Sequence, residues 1–231
     1  MSLSGGYLIL EGLLKSDEIL YLEKLIANAH FEDGAATATD AAKAVKKNLQ
    51  MPKNGSPEKQ QIDSVFFHAM VNSPLIQTAI MPLRILPPII SKYQEGMHYG
   101  AHVDSPVMGD NQIGVIRTDV AMTLFLSDPE TYQGGELYIY TNVGEVKFKL
   151  KKGDALIYPT TQVHGVLPVT SGERLAAVSW MQCTVRDSEK RELLFQLKGV
   201  HSIMEKNNPN APENAVLLQV YSNLLRKWAE L

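Results

Sequence analysis

The sequence predicts an α+β fold in which a β-rich core is flanked by helices at both ends of the chain. Between residues 84 and 184, short runs of β-branched and aromatic residues are punctuated by Gly, Pro and Asp, with no helical pattern between them. On either side of this stretch, apolar residues recur at helical spacing. Many short strands in succession favour a sandwich, a barrel or a jelly roll for the core.

The N-terminal region is predicted to form a short strand and two helices. The strand spans Tyr7 to Leu10, and Ser16 is the expected N-cap of the first helix. The apolar face of this helix consists of Ile19, Leu22 and Ile26. A second helix is expected around Ser64 to Met70. Residues 33–56 are rich in Ala, Lys, Asn and Gly, which favours a solvated, mobile stretch over a basic lip that contacts substrate.

Five segments of the central stretch are predicted to be strands. They are Ala121–Leu126, Glu136–Tyr140, Glu145–Leu150, Asp154–Tyr158 and Leu175–Trp180. The third is the clearest half-buried strand, because Val146, Phe148 and Leu150 alternate with lysines. Gly-containing turns at residues 133–135, 142–144 and 152–154 separate the strands.

The C-terminal region is predicted to form two amphipathic helices, separated by residues 207–212 and with Asn210 in the capping signal of the second. Their apolar stripes are Leu193, Leu197, Val200 and Met204 in the first, and Val216, Leu217, Val220, Tyr221, Leu224, Leu225 and Trp228 in the second. No linker marks a second independent domain. We therefore expect an N-terminal region (1–83) and a C-terminal helical region (185–231) to pack on a core of residues 84–184. The tail stripes are equally compatible with a homo-oligomer interface.

The composition excludes several classes of protein. With 22 Lys plus Arg against 25 Asp plus Glu, a net charge of −3, the chain is not expected to bind nucleic acid. It lacks an apolar run of the ~20 residues that a membrane span requires, and its N-terminus is unlike a secretory signal, which favours a cytoplasmic location. Its one cysteine, Cys183, excludes an intrachain disulfide or a thiolate zinc cluster and is expected to be a buried apolar residue. A metal would have to be bound by imidazole and carboxylate groups.

His102, Asp104 and His164 are the candidate metal ligands. His102 and Asp104 are two residues apart, so on an extended strand their side chains point to the same face. Because a His-x-Asp pair arises by chance roughly 0.3 times in such a chain, a third ligand is needed. His164, after the strand at 154–158, is the natural one. Two histidines and one carboxylate leave positions open on a six-coordinate ion, as in non-haem Fe(II) oxygenases, whereas structural zinc closes its shell. His98 is a poorer partner and is expected to line the site or lie at the surface.

Arg174 is a candidate carboxylate-binding residue. It follows His164 by ten residues, at the start of the next predicted strand. If the two strands are neighbours, the guanidinium points into the core and needs a carboxylate partner. A dicarboxylate cosubstrate would supply one end to Arg174 and the other to the metal. The alternative is an internal salt bridge to an acid such as Glu173.

These residues together resemble a known enzyme family. The ordered set is Tyr93, Tyr99-Gly-Ala-His102-Val-Asp104, Arg117 to Ser127, Gly134-Gly-Glu-Leu137, Gly153-Asp154, His164-Gly-Val-Leu-Pro168 and Arg174 to Trp180. It resembles the prolyl-4-hydroxylase-like Fe(II)/2-oxoglutarate dioxygenases and looks closest to the bacterial PKHD-type hydroxylases. The resemblance is strongest over residues 84 to 184 and extends to the stretch from Asp33 to Gln50.

The resemblance implies a fold and a set of residue roles. The core would be a double-stranded β-helix, or jelly roll, with Fe(II) held by His102, Asp104 and His164. Arg174 would bind the distal carboxylate of 2-oxoglutarate. The pocket around this cosubstrate would be lined by Tyr93, Thr123, Leu137, Val166 and Trp180. Phe125 stands where relatives often have a second tyrosine, and because Phe cannot donate a hydrogen bond, Thr123 is the alternative donor.

The resemblance also implies an activity. The protein would hydroxylate a peptidyl prolyl or lysyl residue or a small metabolite, using O₂ and converting 2-oxoglutarate to succinate and CO₂, with ascorbate keeping the iron reduced. No acid or base side chain is required for this chemistry. The competing hypothesis is a non-catalytic jelly-roll module that binds a metal or a carboxylate as a sensor. A cupin-type isomerase or hydrolase would not account for Arg174.

Overall fold

The computed structural model describes residues 6–37, 43–53, 55–110 and 114–231, which form a mixed helical and antiparallel-sheet structure. Its strands are β1 (Leu8–Leu10), β2 (Glu32–Asp33), β3 (Lys46–Lys47), β4 (Leu49–Gln50), β5 (Pro82–Ile85), β6 (Ile89–Tyr93), β7 (His98–His102), β8 (Val107–Asp110), β9 (Gly114–Arg117), β10 (Val120–Phe125), β11 (Tyr132–Gly134), β12 (Leu137–Thr141), β13 (Gly144–Phe148), β14 (Ala155–Pro159), β15 (His164–Val166), β16 (Val169–Gly172) and β17 (Arg174–Cys183). Its helices are α1 (Ser16–Ala27), α2 (Pro57–Val71), α3 (Pro74–Ala79), α4 (Ser188–Asn207) and α5 (Pro212–Trp228). None of these helices is long and apolar enough to cross a bilayer.

Two sheets carry the candidate site. Within the described residues, the major sheet has eight strands, in the order β1-β14-β10-β17-β6-β4-β2 with β5 beside β17. The minor sheet has the order β13-β12-β15-β7-β3. Two separate two-stranded sheets, β11 with β16 and β8 with β9, complete the strand pairing. All of these pairs are antiparallel.

The two faces of the major sheet have different roles. Alternate residues of β10, such as Met122 and Leu124, belong to a core that includes Ile26 of α1 and Phe66 of α2. The residues between them point the other way, and Phe125 packs with residues of β12 in the minor sheet. Since side chains alternate along a strand, helices cover one face of the major sheet while the other face lines the space between the sheets.

The lysine-rich stretch between α1 and α2 corrects a prediction. Residues 46–50 are not a solvated segment: β3 pairs with β7 of the minor sheet, and β4 pairs with β6 of the major sheet. The side chains of Lys46, Asn48 and Gln50 are buried. Every second side chain faces inward because the chain is extended here. The composition of the stretch does not reveal this alternation. The part of the prediction that concerns residues 38–42 and 54 lies outside the described residues.

The strand predicted as the clearest half-buried case is an edge strand. β13 pairs with β12 alone within the described residues, and Val146 is exposed. Phe148 and Leu150, at its far end, pack against the core between the sheets. The prediction for Val146 was therefore wrong, since alternation identifies a strand without saying whether another layer covers its apolar face.

The C-terminal helices pack on the β-rich core. Met81, Val185 and Leu194 form a small apolar cluster with residues of α5 that include Trp228. The end of the chain is also tied to the core, because the Glu230 carboxylate pairs with Arg117 at 2.8 Å and its backbone N–H donates to the Thr184 carbonyl. Helix α5 has Ala211 rather than Asn210 as its N-cap, because Pro212 occupies the first helical position.

Helices α1 and α2 also begin at other residues than expected. Helix α1 starts at Ser16 itself, with Lys15 as the N-cap, and the Lys15 N–H donates to the Glu18 carboxylate at 2.8 Å. Helix α2 starts earlier than predicted, at Pro57, because the Ser56 hydroxyl accepts from the Lys59 N–H at 3.1 Å and caps the first turn.

Candidate metal and carboxylate site

His102, Asp104 and His164 converge on one point between the two sheets. His102 ends β7, His164 begins β15, and the two residues are paired in register. One ligand atom from each of the three side chains lies within 4.8 Å of the others. The His102 Nε2 is 3.9 Å from Asp104 Oδ1, and the His164 Nε2 is 3.7 Å from Asp104 Oδ2. The sequence prediction therefore selected the three described residues that form this cluster.

Backbone carbonyls fix the orientation of both imidazoles. The His102 Nδ1 lies 2.9 Å from the Gly100 carbonyl oxygen, and the His164 Nδ1 lies 3.0 Å from that of Gln162. A carbonyl only accepts, so each Nδ1 carries the proton and each Nε2 directs its lone pair toward Asp104. Burial and the nearby His164 lower the pKa of His102 to about 4, which keeps this imidazole neutral near pH 7. A neutral imidazole is the form that binds a metal.

The carboxylate of Asp104 fits a bound cation. Its side chain is buried, and its Oδ2 makes no hydrogen bond within the described structure. A buried carboxylate oxygen without a donor is costly unless a cation neutralises it. The donor set of two imidazoles and one carboxylate suits Fe(II) and other divalent first-row metals.

Arg174 is buried without an acidic partner among the described residues. It is 1% exposed, pairs with Tyr93 of β6, and its Nε makes no hydrogen bond. Its guanidinium carbon lies 5.1 Å from the centre of the Tyr93 ring and 5.6 Å from that of Phe125. Glu173, the alternative partner, instead accepts from Gln94 at 3.1 Å and lies near Lys92. A buried guanidinium between two aromatic rings is suited to a carboxylate ligand.

Gly135 makes room for this arrangement. Its φ of +67° is disfavoured for other residues, and a Cβ here would lie 3.2 Å from Arg174 Cδ and 3.1 Å from Tyr132 Cε2. The same Cβ would lie 2.9 Å from Val169 Cγ2. The Gly-Gly turn recognised in the sequence therefore lets Arg174 and Tyr132 pack against the same backbone position.

Tyr158 is a buried residue beside the cluster of candidate metal ligands. Burial raises its pKa, the charge of Asp104 raises it further, and Arg174 and a hydrogen bond with Thr123 oppose the rise. Its ring is 5.1 Å from that of His164. The charges of both Asp104 and Arg174 therefore act on this one hydroxyl.

The predicted lining residues come together around this space. Four of them, Tyr93, Thr123, Leu137 and Val166, are buried, and Trp180 is partly buried with its Nε1 enclosed. Thr123 and Trp180 are on the inward face of the major sheet, while Leu137 is paired with Val166 in the minor sheet. The two sheets therefore supply opposite walls.

Several residues at the site were not predicted from the sequence. They are Lys46, Asn48, Tyr99, Tyr132 and Tyr158, of which Asn48 is buried beside Tyr93. The Tyr99 ring stacks on His102 with a centroid distance of 3.6 Å, and the Lys46 ammonium lies 5.1 Å from the Tyr99 ring. Burial, together with Lys53, lowers the pKa of Lys46 to about 8. Tyr158 could have been predicted, because on a predicted strand it lies two residues from Leu156 and therefore on the same face. Tyr132 lies outside the predicted strands, so no such periodicity points to it.

Two further predictions concern residues next to the site. His98 is partly exposed, and its Nδ1 lies 3.3 Å from the Gly96 carbonyl oxygen, so it stays outside the cluster of three ligands. Cys183 is 0% exposed, and burial raises its thiol pKa to about 12. It is a buried apolar residue, as expected.

Comparisons with known proteins agree with this geometry. Residues 88–182 match the 2OG-Fe(II) oxygenase superfamily, and residues 188–230 match the PKHD-type hydroxylase C-terminal domain. A PKHD-type hydroxylase of Hyphomonas neptunium is 42% identical over 94% of this chain and 96% of its own length. One from Synechococcus sp. (strain JA-2-3B'a(2-13)) is 44% identical over 95% of this chain and 97% of its own length.

Solved structures support the same fold. A prolyl hydroxylase from Trichoplax adhaerens, in complex with a hypoxia inducible factor peptide fragment, aligns with a TM-score of 0.56 and 17% identity over 83% of this chain and 87% of its own. HygX from Streptomyces hygroscopicus, with nickel, 2-oxoglutarate and hygromycin B bound, aligns with a TM-score of 0.54 and 17% identity over 78% of this chain and 84% of its own. At these identities the likeness concerns the fold alone.

Proposed function

Because the chain belongs to the PKHD-type hydroxylases of the 2OG-Fe(II) oxygenase superfamily, we propose that His102, Asp104 and His164 hold the iron. As a member of this family, the protein is a dioxygenase that depends on Fe(II) and 2-oxoglutarate. The observation that carries this proposal is the convergence of the three side chains, with both Nε2 atoms directed at an Asp104 carboxylate that lacks a donor at Oδ2. Three protein ligands leave positions on a six-coordinate ion for cosubstrate and O₂.

Arg174 is the proposed partner of the distal carboxylate of 2-oxoglutarate. Its charge is buried and lacks an acid among the described residues, so a carboxylate ligand neutralises it. Tyr93, whose ring packs on the guanidinium, restricts the orientation of Arg174. The remaining proposed lining residues keep the pocket narrow and largely dry, and they are Thr123, Leu137, Val166 and Trp180.

The chain contributes binding and positioning to the reaction. An iron ion chelated by 2-oxoglutarate supplies, when bound, the oxidative decarboxylation to succinate and CO₂ that is coupled to hydroxylation by O₂. Both imidazoles are oriented by their Nδ1 contacts with backbone carbonyls. Arg174 and the aromatic rings around it fix the far end of the cosubstrate. No side chain of the site is required to transfer a proton.

The fold proposal is that the major and minor sheets are the two halves of a double-stranded β-helix, or jelly roll. Support comes from the facing inward residues of the two sheets and from the similar solved structures. In this proposal, residues 84–184 form the core, while residues 1–83 and 185–231 form regions that pack on it. Strands β3 and β4 then belong to the N-terminal region, although they pair with core strands.

The substrate is proposed to be a peptidyl prolyl or lysyl residue or a small metabolite. Both classes have precedent among the similar structures, one of which holds a peptide fragment and another hygromycin B. Strands β8 and β9 directly follow Asp104 and expose Val107 and Val115.

Three further expectations stay proposals. Ascorbate is proposed to keep the iron reduced. The tail is proposed to mediate homo-oligomers, supported by exposed Val200 and Ile203 on α4 and exposed Val216 and Val220 on α5. The proposed location is the cytoplasm, consistent with the absence of a spanning helix among the described residues.

Succinate formation tests the proposed function. Full-length protein is incubated with Fe(II) and 2-oxoglutarate, and succinate and O₂ uptake are measured, since uncoupled turnover needs no substrate. We expect turnover in the wild type, loss of turnover in Arg174→Met, and no change in Arg84→Met, whose side chain is exposed on β5. Metal binding without succinate or O₂ uptake would favour the sensor hypothesis instead. Equal turnover in Arg174→Met would refute the proposed role of Arg174.

A further inference from the structure

The hydroxyl of Tyr132 is buried beside Arg174 and has no hydrogen-bond partner. Tyr132 is 1% exposed, and its hydroxyl oxygen is enclosed without a donor or acceptor in the described structure. Burial raises the pKa of Tyr132, the charge of Arg174 and the contact of its guanidinium with the hydroxyl oppose that rise, and the charge of Glu136 adds to it. Buried hydroxyls are normally paired, so an unpaired one next to an unpaired guanidinium nitrogen indicates a shared ligand.

The Tyr132 side chain is held firmly in this position. Its backbone pairs with Gly172 of β16, and a Cβ on Gly172 would come within 3.0 Å of Tyr132 Cβ. The Lys149 ammonium lies 4.1 Å from the ring centre and donates to the Tyr132 carbonyl at 2.8 Å. Gly135 closes the remaining side by its close approach to the ring edge. The hydroxyl is therefore preorganised rather than free to turn toward solvent.

Neither residue considered from the sequence can replace this hydroxyl. The Phe125 ring lies 5.6 Å from the guanidinium carbon and offers only an apolar surface. Thr123 is opposite Val178 in the strand pairing, four residues from Arg174 on β17, or roughly 13 Å along a strand. Its hydroxyl acts on Tyr158 instead.

We infer that Tyr132 donates a hydrogen bond to the same distal carboxylate that Arg174 binds and so completes the cosubstrate site. This inference rests on the proposed function, because it requires 2-oxoglutarate to lie with its distal end at Arg174. A carboxylate has about four lone-pair positions, so it can accept from Arg174 and Tyr132 together. The tyrosine contributes from β11, an element outside both main sheets.

The test compares two ligands of Mn(II)-loaded full-length protein. 2-Oxoglutarate carries the distal carboxylate and 2-oxobutyrate lacks it, while both chelate the metal through the same keto acid group. Binding is followed by the relaxation of water protons on Mn(II). We expect Tyr132→Phe to weaken 2-oxoglutarate binding about 10- to 100-fold, as for the loss of one hydrogen bond to a charged group, and to leave 2-oxobutyrate binding unchanged. The control Tyr140→Phe, at an exposed tyrosine of β12, should alter neither.

Measuring the Tm of Tyr132→Phe without ligand separates a loss of binding from a loss of folding. If the hydroxyl has no partner in the ligand-free protein, Tyr132→Phe leaves the Tm without ligand unchanged or raises it. The inference is overturned if the variant binds 2-oxoglutarate as tightly as the wild type, loses both ligands equally, or is destabilised without ligand. Failure of the proposed function looks different, because the wild type itself would then not distinguish 2-oxoglutarate from 2-oxobutyrate.

Discussion

Gly135→Ala should damage the carboxylate site more than it damages the fold. At a φ of +67°, a Cβ costs about 1–2 kcal/mol of stability through backbone strain alone. The new methyl would also lie 2.9 Å from Val169 Cγ2, 3.1 Å from Tyr132 Cε2 and 3.2 Å from Arg174 Cδ. Relieving such overpacking costs about 1–3 kcal/mol more and moves Tyr132 and Arg174, the two side chains proposed to bind the carboxylate.

Gly12→Ala is the matched control. Gly12 has a φ of +60°, and a Cβ there would meet nothing within 4 Å. It therefore carries the same backbone strain without the contacts. For a chain of 231 residues, each kcal/mol lowers the Tm by about 2–4 °C. We expect Gly135→Ala to melt about 2–12 °C below Gly12→Ala, through the overpacking term.

Ligand-induced stabilisation is the decisive assay. With Mn(II) present, 2-oxoglutarate at 100 times its wild-type Kd stabilises the native state by about 2.7 kcal/mol. Gly12→Ala should keep this increment. A tenfold loss of affinity in Gly135→Ala would reduce it to about 1.4 kcal/mol, read as a thermal shift about half as large. Equal shifts in the two variants would refute the claim that Gly135 shapes the carboxylate site.

Three further outcomes follow from the site and its surroundings. Asp104→Ala should lower the affinity for Fe(II) by more than roughly 100-fold, measured anaerobically by calorimetry, because it removes the one charged ligand; His98→Ala is the control and should bind normally. The metal-free protein should lose stability to urea as the pH falls from about 6.5 toward about 4. The pKa of His102 is lowered to about 4, so the unfolded chain takes up its proton first, and His102→Gln should flatten this dependence. Cys183 should resist iodoacetamide in the native protein and react in denaturant; rapid labelling of the native thiol would contradict its burial.

The cluster of candidate metal ligands could be predicted from the sequence because its geometry is mostly local. His102 and Asp104 are two residues apart on extended chain, and that spacing alone directs both side chains to one face. His164 follows a strand that is easily recognised from Ala155 to Tyr158. Its pairing with His102 requires an irregular register between His164 and Val166, which no local pattern reveals. The choice of His164 rested on its place after the strand at 154–158, and the resemblance to a family implied the same residue.

The residues that were missed depend on contacts between distant segments. Tyr132 and Arg174 are 42 positions apart in the sequence, and they meet because both pack against Gly135. Lys46 and Asn48 lie in a lysine-rich stretch whose composition favours exposure. These residues are buried because their strands pair with β7 and β6. The strand pairing, rather than the polarity of the side chains, therefore decides where this stretch lies.

The distribution of unpaired polar atoms links stability to function. Within the described residues, the buried side-chain atoms without a hydrogen-bond partner include four at the candidate site, Asp104 Oδ2, Tyr132 Oη, Arg174 Nε and Trp180 Nε1, while others, such as His201 Nδ1 and Asn214 Oδ1, lie in the C-terminal helices. Each such atom costs about 1–3 kcal/mol, so the four at the candidate site lower the stability of the protein as long as no ligand pairs with them. Binding of a cation at Asp104 and a carboxylate at Arg174 satisfies several of them together. The free energy that the fold gives up by keeping these groups unpaired is therefore recovered as affinity for metal and cosubstrate, and each ligand should raise the affinity for the other.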